Sequence, residues 1–268
     1  MQLANIDTVN ILGVGVSAIN LNQAVGVIND WVENRQSKYV CVTSVHGIVE
    51  SQSDPQLKYI HNSAGLVTPD GMPLVWFIKS SGRKHVRRVY GPDLMLAVMR
   101  SSVDYGHKHF LYGATNNTLK RLQANLERQL PELQIVGSYA PPFRALTEAE
   151  EAKIISEINR SGADVIWIGL STPKQERWMA KQREQLDAAV IIGVGAAFDF
   201  HAGVKRQAPP VIQRSGLEWL FRLVTEPGRL WRRYFRIVPY FIYHAICQRT
   251  GLKSYAFEPI QPHRDPAE

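Results

Sequence analysis

The chain has 268 residues, of which 45% are hydrophobic and 21% are charged. This composition is ordinary for a globular protein and excludes a disordered, collagen-like or repeat-built chain. The two cysteines, Cys41 and Cys247, lie far apart, which argues against a disulfide framework or a zinc site. The first residues lack a basic patch followed by an apolar run, so we expect no signal peptide. No stretch reaches the roughly 20 apolar residues that a membrane-spanning helix needs.

The formal net charge of +7 is concentrated at one end of the chain. Residues 201–268 contain eleven Lys or Arg residues but five Asp or Glu residues, so almost all of the positive excess lies in the last quarter. Such asymmetry indicates an anionic partner, which is phosphate, a membrane surface or nucleic acid.

Short β-branched runs alternate with longer helical patterns through the first 200 residues. The predicted strands are 10–14, 39–43, 66–68, 109–112, 134–139, 165–168 and 190–194. The predicted helices are 21–33, 47–52, 55–62, 72–79, 91–105, 115–129, 147–161 and 173–185. This alternation predicts an α/β catalytic domain over residues 1–203, with a three-layer, Rossmann-like arrangement and a mostly parallel sheet.

A glycine-rich segment follows the first predicted strand. Gly13-Val14-Gly15-Val16-Ser17-Ala18 fits the G-x-G-x-x-A fingerprint of dinucleotide-binding proteins. Asp30 and Glu33 fall inside a predicted helix, however, and not at the end of a second strand where the ribose-binding acid belongs. We therefore favour a plain strand–turn–helix here, and a nucleotide (NAD)-dependent oxidoreductase remains an alternative function.

Asp70 follows the predicted strand that ends near Thr68. The segment Thr68-Pro69-Asp70-Gly71 is ordinary turn chemistry. A carboxylate at a strand end can equally face a cleft and take a proton from an attacking hydroxyl. The spacing alone leaves the turn and the general base equally open.

Two further strand ends carry polar residues. The segment 169–176 runs from a strand into a helix N-terminus, where backbone N–H groups and Lys174 would suit a phosphate. A capped helix with a solvated turn is an equal alternative. In the segment 193–203, small residues permit close approach of a ligand, and Asp199 or His201 could contact it or serve only as structural residues.

The pattern changes after Gly203, where we predict a basic, amphipathic helical appendage over residues 204–250 and a polar tail over 251–268. Arginines recur in the appendage among tryptophan, tyrosine and phenylalanine residues: they are Arg206, Arg222, Arg229, Arg232, Arg233 and Arg236. Arginine forks match phosphate geometry, so a diphosphate or an anionic bilayer is the expected partner. The alternatives are a solvated helix face, or a non-catalytic basic module that binds a membrane. Arginine rather than lysine dominance, together with helices rich in tryptophan, favours a membrane over nucleic acid.

Several segments together, in collinear order between about residues 10 and 240, resemble the WecB/TagA/CpsF family of bacterial glycosyltransferases. They are Thr68-Pro69-Asp70-Gly71-Met72-Pro73-Leu74-Val75, Arg88-Val89-Tyr90-Gly91-Pro92-Asp93-Leu94, Phe110-Leu111-Tyr112-Gly113, Gly169 with Thr172-Pro173-Lys174-Gln175-Glu176, Gly193-Val194-Gly195-Ala196-Ala197-Phe198-Asp199, and Gly216-Leu217-Glu218-Trp219-Leu220-Phe221-Arg222 with Glu226-Pro227 and Arg229. The resemblance implies an inverting, metal-independent transfer from a UDP-sugar, such as UDP-N-acetylmannosamine or another UDP-hexose. The implied acceptor is a glycan on a polyprenyl diphosphate, used in cell-surface polysaccharide biosynthesis. The implied location is cytoplasmic and peripheral, on the inner face of the cytoplasmic membrane.

The resemblance also implies roles for individual residues. Asp70 would be the general base, and Gln175 would position substrate. Arg222, Arg229 and either Arg232 or Arg233 would hold the leaving diphosphate. The remaining expected substrate contacts are Thr43, His46, Asp93, Gly113, Lys174, Asp199 and Arg206.

One absence and one departure qualify the expected site. No D-x-D occurs in the chain, so we expect no metal and no other cofactor. Arginines would hold the diphosphate in place of a divalent metal. Val45 stands where the family often has an asparagine, and His46 lies next to it. Either His46 makes that contact or the sugar specificity differs. A homo-oligomer is left open.

Overall fold

The computed structural model describes residues 6–257, except for the side chain of Arg229. The strands are β1 (Thr8–Ile11), β2 (Val14–Ser17), β3 (Lys38–Thr43), β4 (Leu66–Pro69), β5 (Lys108–Gly113), β6 (Gln134–Tyr139), β7 (Val165–Gly169) and β8 (Val190–Gly193). The helices are α1 (Leu21–Glu33), α2 (Val45–Ser53), α3 (Pro55–Asn62), α4 (Met72–Ser80), α5 (Gly91–Tyr105), α6 (Asn116–Gln129), α7 (Glu148–Ser161), α8 (Lys174–Gln182), α9 (Ala197–His201), α10 (Pro210–Arg214), α11 (Glu218–Thr225) and α12 (Pro227–Arg249).

Six of the strands form one parallel sheet in the order β4-β3-β8-β7-β5-β6. The central strands are continuous runs of apolar residues such as Val165-Ile166-Trp167-Ile168, all fully buried. Continuous apolar runs are expected where helices cover both faces of a sheet. The predicted mostly parallel, three-layer α/β fold is confirmed.

Two separate hydrophobic cores lie on the two faces of this sheet. One packs α1, α5, α6 and α9 against the sheet through residues such as Ile28, Val98 and Leu122. The other packs α2, α3, α4, α7 and α8 against the opposite face, and Ile237 and Phe241 of α12 join it. The carboxyl ends of the strands between these layers are left for the polar residues of the site.

The glycine-rich segment near the N-terminus is a β-hairpin. Leu12 (φ 52°) and Gly13 (φ 83°) form a two-residue turn between antiparallel β1 and β2, and positive φ at both positions is the type I′ pattern. Helix α1 begins only at Leu21, after a capping box made by Asn20 and Gln23. The dinucleotide interpretation is wrong, because its glycines must lie between a strand and a helix N-terminus. The strand–turn–helix preferred for this segment is also wrong, because the turn leads into strand β2 and not into a helix.

Two of the three C-terminal helices, α10 and α11, pack lightly on the α/β body. Neither α10 nor α11 contains a buried residue. Helix α12 is hydrogen-bonded to the hairpin through Gln248. The Gln248 side chain accepts from Leu12 N–H (2.9 Å) and donates to the Asn10 carbonyl (3.0 Å). Beyond Gly251, where the sequence has no fold signal, the Tyr255 carbonyl accepts from Asn10 Nδ2 (2.7 Å). Residues 258–268 of the predicted polar tail lie outside the described residues. Among helices in the described part of the chain, none combines the length and apolarity needed to cross a bilayer.

Candidate active site

A cavity of about 830 Å³ opens at the carboxyl ends of β3, β4, β7 and β8. Its floor is built from the segments that follow these strands, including Asp70, Gln175 and Gly195. Its far wall is built by α11 and α12, through residues such as Arg222 and Arg233. Ligands of open α/β sheets bind outside the carboxyl ends of the strands, so this cavity is the expected substrate site.

Asp70 lies on the cavity floor. It directly follows β4, and its backbone N–H donates to the Thr43 carbonyl (2.8 Å) at the end of the neighbouring strand β3. The next residue, Gly71, has a φ of 137°, a backbone conformation that side chains other than hydrogen disfavour. This turn brings the Asp70 carboxylate into the cavity, with 22% of the side chain exposed.

Arg88 links Asp70 to the C-terminal appendage. Its Nε and Nη2 atoms both donate to Asp70 Oδ1, at 3.0 and 2.9 Å. Its Nη1 atom lies 2.7 Å from Glu218 Oε2 on α11, and its guanidinium lies 4.0 Å from the Tyr90 ring centroid. Burial disfavours the charged guanidinium, but Asp70 and Glu218 outweigh it and raise the pKa of Arg88. Sequence reasoning did not assign Arg88 or Glu218 to the site, because a pair 130 positions apart has no recognisable spacing.

Gln175 is buried beneath the cavity and holds its floor in place. Its Oε1 atom accepts from the Gly195 N–H (3.0 Å), and its Nε2 atom donates to Glu176 Oε1 (3.0 Å). Thr172 Oγ1 also donates to that Glu176 oxygen (2.9 Å). Burial raises the pKa of Glu176. These bonds fix the Gln175 amide against the loop after β8 and bring one side of it to the cavity.

His46 lies in the first turn of α2 and lines the cavity beside Arg233. Burial, followed by the charge of Arg233, lowers the pKa of His46 to about 4, although Glu50 acts in the opposite direction. The imidazole is therefore neutral at pH 7 and can donate or accept a hydrogen bond. The neighbouring Val45 also lines the cavity, whereas Thr43 lies buried at the end of β3.

The appendage contributes both cations and apolar surface to the cavity. Arg222 and Arg233 are half-buried in its wall. Asp199 also lines it, but its Oδ2 atom is paired with Lys205 Nζ at 2.8 Å. An apolar portion of the wall lies between α4 and α12, and its larger members are Met72, Trp76, Phe77, Ile237, Phe241 and Ile242.

Other expected contacts lie away from the cavity wall. Asp93, Lys174, Arg206 and Arg232 have exposed side chains and do not line the cavity. Gly113 faces β7, where an added Cβ would lie 2.6 Å from the Gly169 carbonyl oxygen. Backbone packing thus accounts for this glycine. Arg229 begins α12, but its side chain lies outside the described part of the protein.

A carboxylate and two arginines line one cavity at the carboxyl edge of a parallel sheet, which is where α/β enzymes bind their substrates. The model of the glycosyl transferase WecG/TagA/CpsF family matches residues 9–255. The chain belongs to this family and is a glycosyltransferase, as its motifs predicted.

Two curated relatives carry the same name, N-acetylglucosaminyldiphosphoundecaprenol N-acetyl-beta-D-mannosaminyltransferase. The one from Bacillus spizizenii (strain ATCC 23059 / NRRL B-14472 / W23) is 29% identical over 191 residues, which cover 71% of this chain and 72% of the relative. The one from Staphylococcus aureus (strain NCTC 8325 / PS 47) is 24% identical over 256 residues, which cover 94% and 97%.

Proposed function

We propose that this glycosyltransferase moves a hexose from a UDP-sugar, UDP-N-acetylmannosamine or a relative of it, to a sugar on a polyprenyl diphosphate. The product would enter cell-surface polysaccharide biosynthesis. The observation that carries the proposal is the convergence of Asp70 with Arg222 and Arg233 in one cavity. The names of the two relatives, which specify an N-acetylmannosamine transfer to a diphosphoundecaprenol-linked sugar, support the choice of substrates.

In the proposed mechanism Asp70 is the general base. Among the described residues both hydrogen bonds to its carboxylate fall on Oδ1, from Arg88. This leaves Oδ2 to take the proton of the acceptor hydroxyl as that hydroxyl attacks the anomeric carbon. In-line attack from the face opposite the departing UDP would invert the anomeric configuration.

Arginines would stabilise the leaving group. Negative charge grows on the β-phosphate of UDP as the glycosidic bond breaks, and fixed cations lower the energy of that state. Arg222 and Arg233 lie in the cavity wall opposite the strand ends, where they can hold a diphosphate. We propose that they do so without a divalent metal.

The lipid part of the acceptor would lie along the appendage. The apolar cavity wall between α4 and α12 is continuous with the polar floor at Asp70. Outside the cavity, exposed apolar side chains follow α11 and α12 beside the arginines, among them Leu220, Val224, Trp231 and Phe235. An apolar face flanked by cations suits an anionic bilayer, so we propose peripheral attachment at the inner face of the cytoplasmic membrane.

The test of this function is a transfer assay with a panel of UDP-sugars and prenyl-diphosphate-linked mono- and disaccharides, with EDTA or with Mg²⁺. We expect one donor to be transferred at the same rate under both conditions. A rate that collapses in EDTA would overturn the metal-independent part. No transfer from any UDP-sugar would overturn the donor class.

Membrane attachment has a test of its own. Flotation with anionic vesicles should fall as salt rises, because exposed charges are screened, and neutral vesicles should bind less protein. Flotation that does not depend on salt or on anionic lipid would overturn the electrostatic part.

A further inference from the structure

Three charged residues from distant parts of the chain form one half-buried network that lines the cavity. Asp70 follows β4, Arg88 precedes α5, and Glu218 begins α11. Between 14% and 22% of each side chain is exposed. A guanidinium that lies between two carboxylates shares its one positive charge between them.

The geometry of Arg88 makes Glu218 more than a surface ion pair. One edge of the guanidinium, Nε and Nη2, donates hydrogen bonds to Asp70, while Nη1 on the other side forms an ion pair with Glu218. The ring of Tyr90 covers one face at 4.0 Å. Because the guanidinium is planar and rigid, fixing Nη1 also fixes the edge that orients the Asp70 carboxylate.

We infer that Glu218 is a positioning residue for the transfer reaction, which acts through Arg88 to orient Asp70 and thereby makes the general base depend on the docking of α11. This inference rests on the proposed role of Asp70 as base. Glu218 itself contacts Arg88 and need not touch substrate. Without the Glu218 carboxylate, the Nη1 atom of Arg88 has lost its partner. The guanidinium then rotates and interacts with Asp70 alone.

The physical consequence concerns the chemical step. A general base that is displaced from its productive geometry is a less effective one. Misplacement of a reacting group by about 1 Å can cost roughly 100-fold in rate. For Glu218→Gln we therefore expect kcat to fall by about 10- to 100-fold, with KM for the UDP-sugar nearly unchanged.

The deciding experiment is a double-mutant cycle on kcat with Asp70→Asn and Glu218→Gln. If Glu218 acts through Asp70, its substitution costs little once the carboxylate of Asp70 is gone, because interacting residues are not additive. Costs that multiply in the double variant would overturn the inference, as would an unchanged kcat in Glu218→Gln alone. A rise in KM with kcat unchanged would also overturn it. That result would mean that Glu218 only holds α11 against the body and does not orient Asp70.

Arg236→Gln is the matched control. Arg236 on α12 pairs with Glu50 on α2, which is another ion pair between appendage and body, but one that does not touch Asp70. Its cost, if any, should multiply with that of Asp70→Asn. Circular dichroism and hydrogen exchange in α11 of each variant separate loss of docking from loss of orientation.

The outcome is separable from the proposed function. Failure of the wild type to use any prenyl-linked acceptor would count against the proposed substrates. The cycle would then be measured on hydrolysis of the UDP-sugar, where water replaces the acceptor hydroxyl and needs the same base.

Discussion

The α/β body and the C-terminal appendage differ in how many of their residues are buried. In the body, strands such as β7 and β8 are almost completely buried between two helical layers. In the appendage, α11 buries no residue and α12 buries only Leu230, Ile237, Phe241 and Cys247 among its described side chains. Individual polar bonds add to these contacts, namely Glu218 with Arg88, Arg236 with Glu50 and Gln248 with the hairpin. The body thus supplies most of the folding free energy, whereas the appendage supplies cations and a wall for the cavity. Substitutions in the two regions should therefore affect different measurements.

The largest effect is expected at the edge of the body, where Asp70→Asn should lower kcat by about 10²–10⁴-fold. Its thermal unfolding should change little, because the amide keeps the shape of the carboxylate. Asp104→Asn, a substitution of an exposed residue on α5, is the control. A loss of only a few-fold in Asp70→Asn would remove this residue from the role of base.

Removing a cavity arginine of the appendage should harm activity without harming stability. Arg222→Ala or Arg233→Ala should lower kcat/KM by about 10- to 100-fold, which corresponds to about 1.5–3 kcal/mol for a hydrogen bond to a charged group. UDP binding measured by calorimetry should weaken in parallel. Arg214→Ala, at an exposed position outside the cavity, should leave both unchanged. A large drop in melting temperature for the cavity variants would contradict the division between the two regions.

Gly113→Ala should show the opposite behaviour. The new Cβ would lie 2.6 Å from the Gly169 carbonyl oxygen, and overpacking of this kind costs about 1–3 kcal/mol. Denaturant unfolding should show this loss, while the turnover of the folded fraction persists. Gly106→Ala is the matched control, because Gly106 also has positive φ but its nearest new contact is a flexible side chain at 3.8 Å. Equal losses in both variants would mean that backbone conformation, and not the clash, sets the cost.

The smallest effect is expected at the far end of α12. Gln248→Ala removes two hydrogen bonds to the backbone of the hairpin, each with a net value of about 0.5–1.5 kcal/mol. Hydrogen exchange should accelerate in the last turns of α12 and in residues 251–257, whereas the sheet should stay protected. Faster exchange throughout the sheet would show that the last turns of α12 and the sheet unfold as one cooperative unit.

Local patterns determined most of the body. Helices α1 and α5 begin and end at the predicted residues, because apolar spacing and terminal signals such as Asn20 and Gly106 act within a few residues. The hairpin was missed because Gly13-x-Gly15 is compatible with two kinds of turn. The choice between them depends on the pairing of β1 with β2, which is not encoded in a short motif.

Within the site, the sequence by itself identified the segments but not all of their contacts. Asp70, Gln175 and the arginines of the appendage could be named because each belongs to a motif or to a charge pattern. Which of them meet depends on how the helices pack against the sheet: Arg222 and Arg233 line the cavity, whereas Arg232 and Lys174 are exposed outside it. Only the tertiary structure brought Glu218 to Arg88 and Asp70. The physical reason is that secondary structure follows from interactions between near neighbours in sequence. The site follows from long-range packing of strand ends against a helix more than 100 residues away.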